Sequence, residues 1–177
     1  MTQHHPDAIR LAMPAEARAI ARLQLARLAA IPALAPAVGS LNEEDMAVAW
    51  HTAITRPPLA TFRVLVAVDA ANQVVGFAAI GPSEDPDAEP DEGIVAEFCV
   101  QPDQQDHTRS DRLLHAIADT LRADGFVRAT WWLRADDDQT RTLLTECGWS
   151  PDGAHQEVGD EEATVRIKLI RLHTALE

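Results

Sequence analysis

The spacing of apolar residues changes repeatedly along the chain, and each change marks an element. Ala8 to Ala12 reads as a short strand. Pro14 then suits the first position of a helix, and Glu16 falls in its first turn, where a carboxylate complements the helix dipole. Ile20, Leu23 and Leu28 mark the buried stripe of that helix, which should end near Ile31-Pro32. A second helix is predicted from Asn42 or Glu43 to His51, with Asn42 as its cap and Pro57-Pro58 beyond its end. Phe62 to Val68 is a nearly continuous apolar strand, DAANQ turns the chain, and Val74 to Ile80 returns as a second strand. Their closeness predicts an antiparallel hairpin. Gly76 inside it signals a bend or a close backbone approach. Gly81 to Gly93 contains three prolines and a dense run of acids, and reads as a loop too polar to pack.

Ile94 to Val100 is the next strand, closed by Pro102. Leu113, Leu114, Ile117, Ala118 and Leu121 then fall on one helical stripe, and Gly125 supplies the C-cap. Val127 to Leu133 follows as a strand, so a parallel crossover is expected. Asp138 to Cys147 reads as a short helix ended by Gly148. Strands are expected near Ala154 to Val158 and from Thr164 to Leu172, where Val165, Ile167 and Leu169 alternate with Arg166 and Lys168. The order β-α-α-β-β-β-α-β-α-β-β, with no repeat and no long linker, predicts a single α/β (α+β) domain over the whole chain. It should hold one mixed, mostly antiparallel sheet flanked by helices.

Composition narrows the partners. The chain has 177 residues, 46% of them apolar, which suits one packed domain. Fifteen basic side chains against 28 acidic ones give a formal charge of -13. Such a field repels phosphate backbones and anionic lipid surfaces, so neither nucleic acid nor membrane is expected as a partner. The two cysteines, Cys99 and Cys147, lie in apolar segments and read as buried thiols. The histidines lack ligand spacing, so no metal site is expected. MTQHHPDAIR has no apolar leader core, and a cytoplasmic setting is the expectation.

The stretch from Val100 to Leu114, VQPDQQDHTRSDRLL, carries a resemblance. Val100, Pro102, Asp103, Gln105, Leu113 and Leu114 stand at the spacing of the central motif of the GCN5-related N-acetyltransferase (GNAT) family, a strand ending in V-x-P, a phosphate loop and a helix with a Leu-Leu pair. WWLRADDDQTRTLLTECGWSPDG is similar to a second family block, with Gly148-Trp149 for its G-F, and VLVAVDAANQVVGFAAI resembles the family's substrate-side hairpin. The resemblance spans roughly residues 8 to 172. It implies acetyl-CoA as donor, bound in a notch between the strand ending at Val100 and the strand beginning at Val127. It also implies a small-molecule or peptide amine as acceptor. Phe98, Cys99 and Val100 would lie beside the pantetheine. Gln105, Asp106, His107, Thr108, Arg109 and Ser110 would form the phosphate loop, with Asp111 in the first turn of the helix. Amides at a helix N-terminus, aided by the dipole, suit a pyrophosphate.

The chain also departs from that pattern. The loop's usual glycines are replaced by Asp106, Thr108 and Ser110. Glycine there lets phosphate approach the backbone, and a carboxylate at 106 sets like charge against it. Arg109, Arg112 and a protonated His107 could offset that charge, or these residues could simply be an exposed helix start. Thr108 with Asp111 fits a capping box. The family's proton-donating tyrosine aligns with Leu144, and the chain contains no tyrosine, which excludes a phenolic acid. The family's Asn at the second helix start corresponds to Asp137, which the resemblance places among the donor-binding residues and which also suits an N-cap.

Glu97 is the candidate base, because it interrupts the apolar run Ile94 to Phe98. Burial there would favour its protonated form unless it is paired. A paired structural glutamate is the equal alternative, and Glu92 and His51 are weaker candidates. Of Trp131 and Trp132, one should enter the core and the other face away; Trp50 and Trp149 read as core anchors. Two functions therefore stay open. One is an N-acetyltransferase acting on an amine. The other is a catalytically degenerate member of the same fold that binds CoA weakly or serves as a regulatory or protein-interaction module. A homodimer is compatible with either.

Overall fold

The computed structural model describes residues 8–102, 108–161 and 165–177. Among them, seven strands form one sheet in the order β1-β2-β3-β4-β5-β7-β6. The strands are β1 (Ala8–Leu11), β2 (Arg63–Val68), β3 (Val74–Pro82), β4 (Glu92–Val100), β5 (Arg128–Arg134), β6 (Ser150–Gly159) and β7 (Arg166–Ala175). Every neighbouring pair is antiparallel except β4–β5, which is parallel, as the intervening helix requires. The helices are α1 (Ala17–Ala29), α2 (Ala35–Val38), α3 (Glu43–Thr55), α4 (Thr108–Ala123) and α5 (Asp138–Glu146). The predicted mixed, mostly antiparallel sheet flanked by helices is what the chain forms.

Strand alternation divides the core into two. On one face Leu113, Leu114, Ile117 and Leu121 of α4 bury against Phe98, Trp131, Leu133 and Trp149. Burial of each such side chain contributes about 1.5–3 kcal/mol. On the other face Ile20 and Leu23 of α1 pack on Val64, Val66, Phe77 and Cys99. Trp50 meets Phe77 edge-on at 5.1 Å. Asn42 caps α3 by accepting from the Glu44 and Asp45 amides at 2.8 and 3.2 Å. Gly125, at φ +93°, ends α4 as expected. Gly76 marks a close approach: a Cβ there would stand 3.1 Å from the Cys99 carbonyl oxygen and 3.2 Å from a Val100 methyl.

Several boundaries differ from expectation. α3 runs to Thr55, and a one-turn α2 follows α1. The last two strands start or end several residues beyond their apolar centres, because ladder bonds extend past the alternating stretch. Cys147 is half-buried rather than buried.

The acidic connection between β3 and β4 differs most. It packs. Arg171 of β7, with its side chain 9% exposed, donates to Asp87 at 2.7 Å, to Asp152 at 2.7 Å and to Asp85 at 3.2 Å. The Trp132 indole N–H donates to Asp85 at 2.9 Å, and the guanidinium stacks 5.5 Å from the ring centroid. A polar loop can fold onto a sheet when a buried cation receives its carboxylates, which a hydropathy pattern does not reveal.

Candidate active site

The strand β4 breaks its own alternation. Ala79 pairs with Glu97 while Ile80 pairs with Val95, so Ala96 is an extra residue and the strand bulges. Val95 and Phe98 both face the α4 side of the sheet. The bulge thereby turns Ala96 and Glu97 away from that core. Ala96 is exposed and Glu97 half-buried. Cys99 resumes on the α1 side, its thiol 3.6 Å from the Leu23 carbonyl oxygen.

The second feature is a split. The parallel pairing of β4 with β5 covers only Glu92–Arg128, Gly93–Ala129 and Ile94–Thr130. Beyond Ile94 no strand among the described residues pairs with that edge of β4. A parallel pair that ends early leaves backbone N–H and C=O groups aimed into the opening.

A cavity of about 970 Å³ fills the region where the strands part. Its walls come from the end of α1, the last residues of β4, the first turn of α4, the end of β5 and one side of α5. The notch expected between the strand ending at Val100 and the strand after α4 is therefore present. Phe98, Cys99, Val100, Arg109, Ser110, Asp111 and Asp137, all predicted to contact a donor, line it. Thr108 is exposed and does not line it. Gln105, Asp106 and His107 lie outside the described residues.

Asp137 has two duties visible at once. Its carboxylate caps α5, accepting from the Thr140 amide at 3.0 Å and the Thr140 hydroxyl at 2.9 Å, and both residues face the cavity. Leu144, at the family's tyrosine position, is fully buried in the α4-side core and offers no polar atom to the opening.

The electrostatics of the cavity differ from those of the whole chain. Arg27, Arg109 and Arg134 balance Asp111, Asp137 and Glu146 along its lining, within a protein carrying -13 overall. Arg134 also pairs with Asp136 at 2.9 Å. Sequence reasoning missed Arg27 and Arg134, since an arginine near a helix or strand end carries no signal of what it faces.

Glu97 does not line the cavity itself, but its ion-pair partner Arg27 does, at 3.9 Å. Burial pushes the Glu97 carboxyl above the usual carboxylate range, and Arg27 and the Gln24 side chain pull against that rise. Burial also pushes the Cys99 thiol up to about 11, with Arg27 opposing and Glu97 adding to the rise, so this sulfur stays protonated near neutral pH. A protonated thiol facing a carbonyl argues against covalent catalysis by Cys99. Glu92 is buried against Arg128, 3.4 Å away, and His51 is exposed on α3. Among the described residues no cluster of His, Cys, Asp and Glu could hold a metal ion, and no helix is long and apolar enough to cross a membrane.

Comparison with known proteins agrees with this geometry. A sequence model described as the acetyltransferase (GNAT) family matches residues 29–149. No curated protein sequence matches the chain. Among solved structures, an N-acetyltransferase from Staphylococcus aureus Mu50 superposes with a TM-score of 0.76 at 15% identity, covering 97% of this chain and 99% of its own. A ribosomal-protein-alanine N-acetyltransferase from Brucella melitensis gives a TM-score of 0.73 at 17% identity, covering 95% and 99%. A phosphinothricin acetyltransferase from Sinorhizobium meliloti, solved in complex with acetyl-CoA, gives 0.72 at 15% identity, covering 96% and 88%. At these identities the likeness concerns the fold.

Proposed function

This chain belongs to the acetyltransferase (GNAT) family, and we propose that it transfers acetyl from acetyl-CoA to an amine. The observation that carries this reading is the split between β4 and β5 opening onto a cavity bounded by the first turn of α4. The unpaired edge of β4 gives the pantetheine a strand-like partner, and the start of α4 offers amides to the pyrophosphate. Arg27, Arg109 and Arg134 offset the cavity's three carboxylates, so an anionic ligand meets a near-neutral lining within an acidic chain.

The residues then divide the chemistry. Backbone N–H groups along β4 polarise the thioester carbonyl and stabilise its oxyanion. Glu97, turned out by the bulge, accepts the proton of the attacking amine, directly or through a water. The elevated pKa of its carboxyl brings it closer to the pH at which it works. The CoA sulfur can leave as a thiolate without a tyrosine, because its conjugate acid, the thiol, has a pKa of only about 8.5. The acidic surface favours a cationic acceptor over an anionic one.

A screen of amines for CoA thiol release tests the proposal, with Glu97→Gln as the control. Amine-dependent release that the control loses supports it. CoA binding with no release across the screen would leave the degenerate, CoA-binding reading, which the replacements at 106, 108 and 110 favour.

A further inference from the structure

Arg27 belongs to the cavity and to Glu97 at once. Its side chain lines the cavity, and its Nη1 lies 3.9 Å from Glu97 Oε2. Both side chains are about one-third exposed, at 34% and 37%, so the pair adds little to the stability of the fold. Its value must lie elsewhere. Burial against α1 works to neutralise the Glu97 carboxylate, and a neutral carboxylic acid cannot accept a proton.

Three residues before Arg27 on the same face of α1 is Gln24. Its Oε1 accepts the Trp50 indole N–H at 2.8 Å. That bond fixes which end of the amide is which, leaving the NH2 as the end that favours a charged Glu97.

We propose that Arg27 is a positioning residue: its guanidinium pairs with the Glu97 carboxylate beside the cavity wall and holds it as the charged proton acceptor. This rests on the reading of Glu97 as proton acceptor. The surroundings of Glu97 leave Arg27 as the partner that decides its charge. β3 presents Ala79 opposite it, with no charge. β4 presents the Cys99 thiol on the same face, neutral near pH 7. Across the split, β5 turns Trp132 and Arg134 to that face, the first bonded to Asp85 and the second paired with Asp136. α1 presents Arg27 and Gln24, and Trp50 of α3 donates to Gln24.

The test follows the Glu97 side-chain carboxyl by ¹³C NMR across pH in the full-length chain, its signal assigned by loss in Glu97→Gln. Arg27→Met, Arg27→Lys and Gln24→Met are compared. A nearby cation favours the charged carboxylate, so its removal must move the titration upward. The expected result is a higher titration midpoint in Arg27→Met, a smaller rise in Gln24→Met, and return toward the native midpoint in Arg27→Lys. The acid limb of the amine-acetylation rate should move the same way, so that Arg27→Met loses more activity at about pH 6 than at about pH 8.5. Melting temperature should stay near native, since a one-third-exposed ion pair contributes little to stability. A Glu97 midpoint unmoved in Arg27→Met overturns the proposal, as does a raised KM for acetyl-CoA with an unmoved acid limb, which would make Arg27 a donor contact only. Native activity in Glu97→Gln would instead overturn the assignment of the base, and the NMR titration reports on the Arg27–Glu97 contact without depending on turnover.

Discussion

Glu97 and Arg171 are both charged residues on strands, yet their surroundings set them different tasks. Glu97 has one long ion pair and a carboxyl raised by burial, the state of a group that exchanges protons. Its replacement by Gln should cut kcat/KM for acetyl transfer by about 10²-fold or more, the usual share of a general base, while leaving acetyl-CoA affinity near native. Steady-state kinetics with a thiol reporter would measure both.

Arg171 is saturated with partners, and its hydrogen bonds to Asp87, Asp152 and Asp85 hold it permanently charged. Its replacement by Met leaves Asp85, 18% exposed, with the Trp132 N–H but no cation among the described residues, and leaves Asp152, 12% exposed, with the longer 3.4 Å contact to Arg128 as its remaining ion pair there. Urea unfolding should show a loss of about 3–5 kcal/mol, the range for breaking a buried ion pair from one side. A change under ~1 kcal/mol would mean the loop stays packed without the arginine.

At the scale of elements, the arrangement of α4 against β4 and β5 defines the opening, and Gly93 permits that arrangement. A Cβ there would stand 2.9 Å from a Leu121 methyl and 3.3 Å from the Phe126 ring, both inside the core. Gly93→Ala should therefore cost about 1–3 kcal/mol, the range for overpacking, read as a lowered melting temperature. The order of the elements was legible in the sequence because apolar periodicity separates α4 from its flanking strands without ambiguity. The notch was expected through the family resemblance that the motif from Val100 to Leu114 carries, not from periodicity. The bulge at Ala96 was not legible, because Ile94 to Val100 is a nearly continuous apolar run whose facing is undefined until the partner strand is known. Nor were Arg27 and Arg134, whose contribution comes from tertiary proximity, or the packed loop at Asp85 and Asp87, whose charges pointed to solvent until Arg171 was found beneath them.

For the whole molecule, acid is the expected weakness. Burial raises Asp152, but the Ala154 amide and Arg171 more than offset that rise, so its carboxyl falls below the usual range. The hydrogen bond from Arg10 does the same for Glu16. A carboxyl lowered on folding contributes stability that is present above its unfolded pKa, about 4, and lost as pH falls through the folded value. Melting temperature should thus be nearly flat from about pH 8 to about pH 5 and fall steadily below about pH 4. Thermal scans across buffers would show it, and a peak near the sequence pI of 4.8 would contradict it.

The central claim is that the space between β4, α4 and β5 receives acetyl-CoA. Calorimetric titration of the purified chain with acetyl-CoA and with free CoA tests it most directly, with Asp106→Gly alongside. One binding site is expected for each, tightened in Asp106→Gly if the carboxylate that stands where the family's loop has glycine opposes the pyrophosphate. No heat of binding at millimolar ligand in either protein would contradict it.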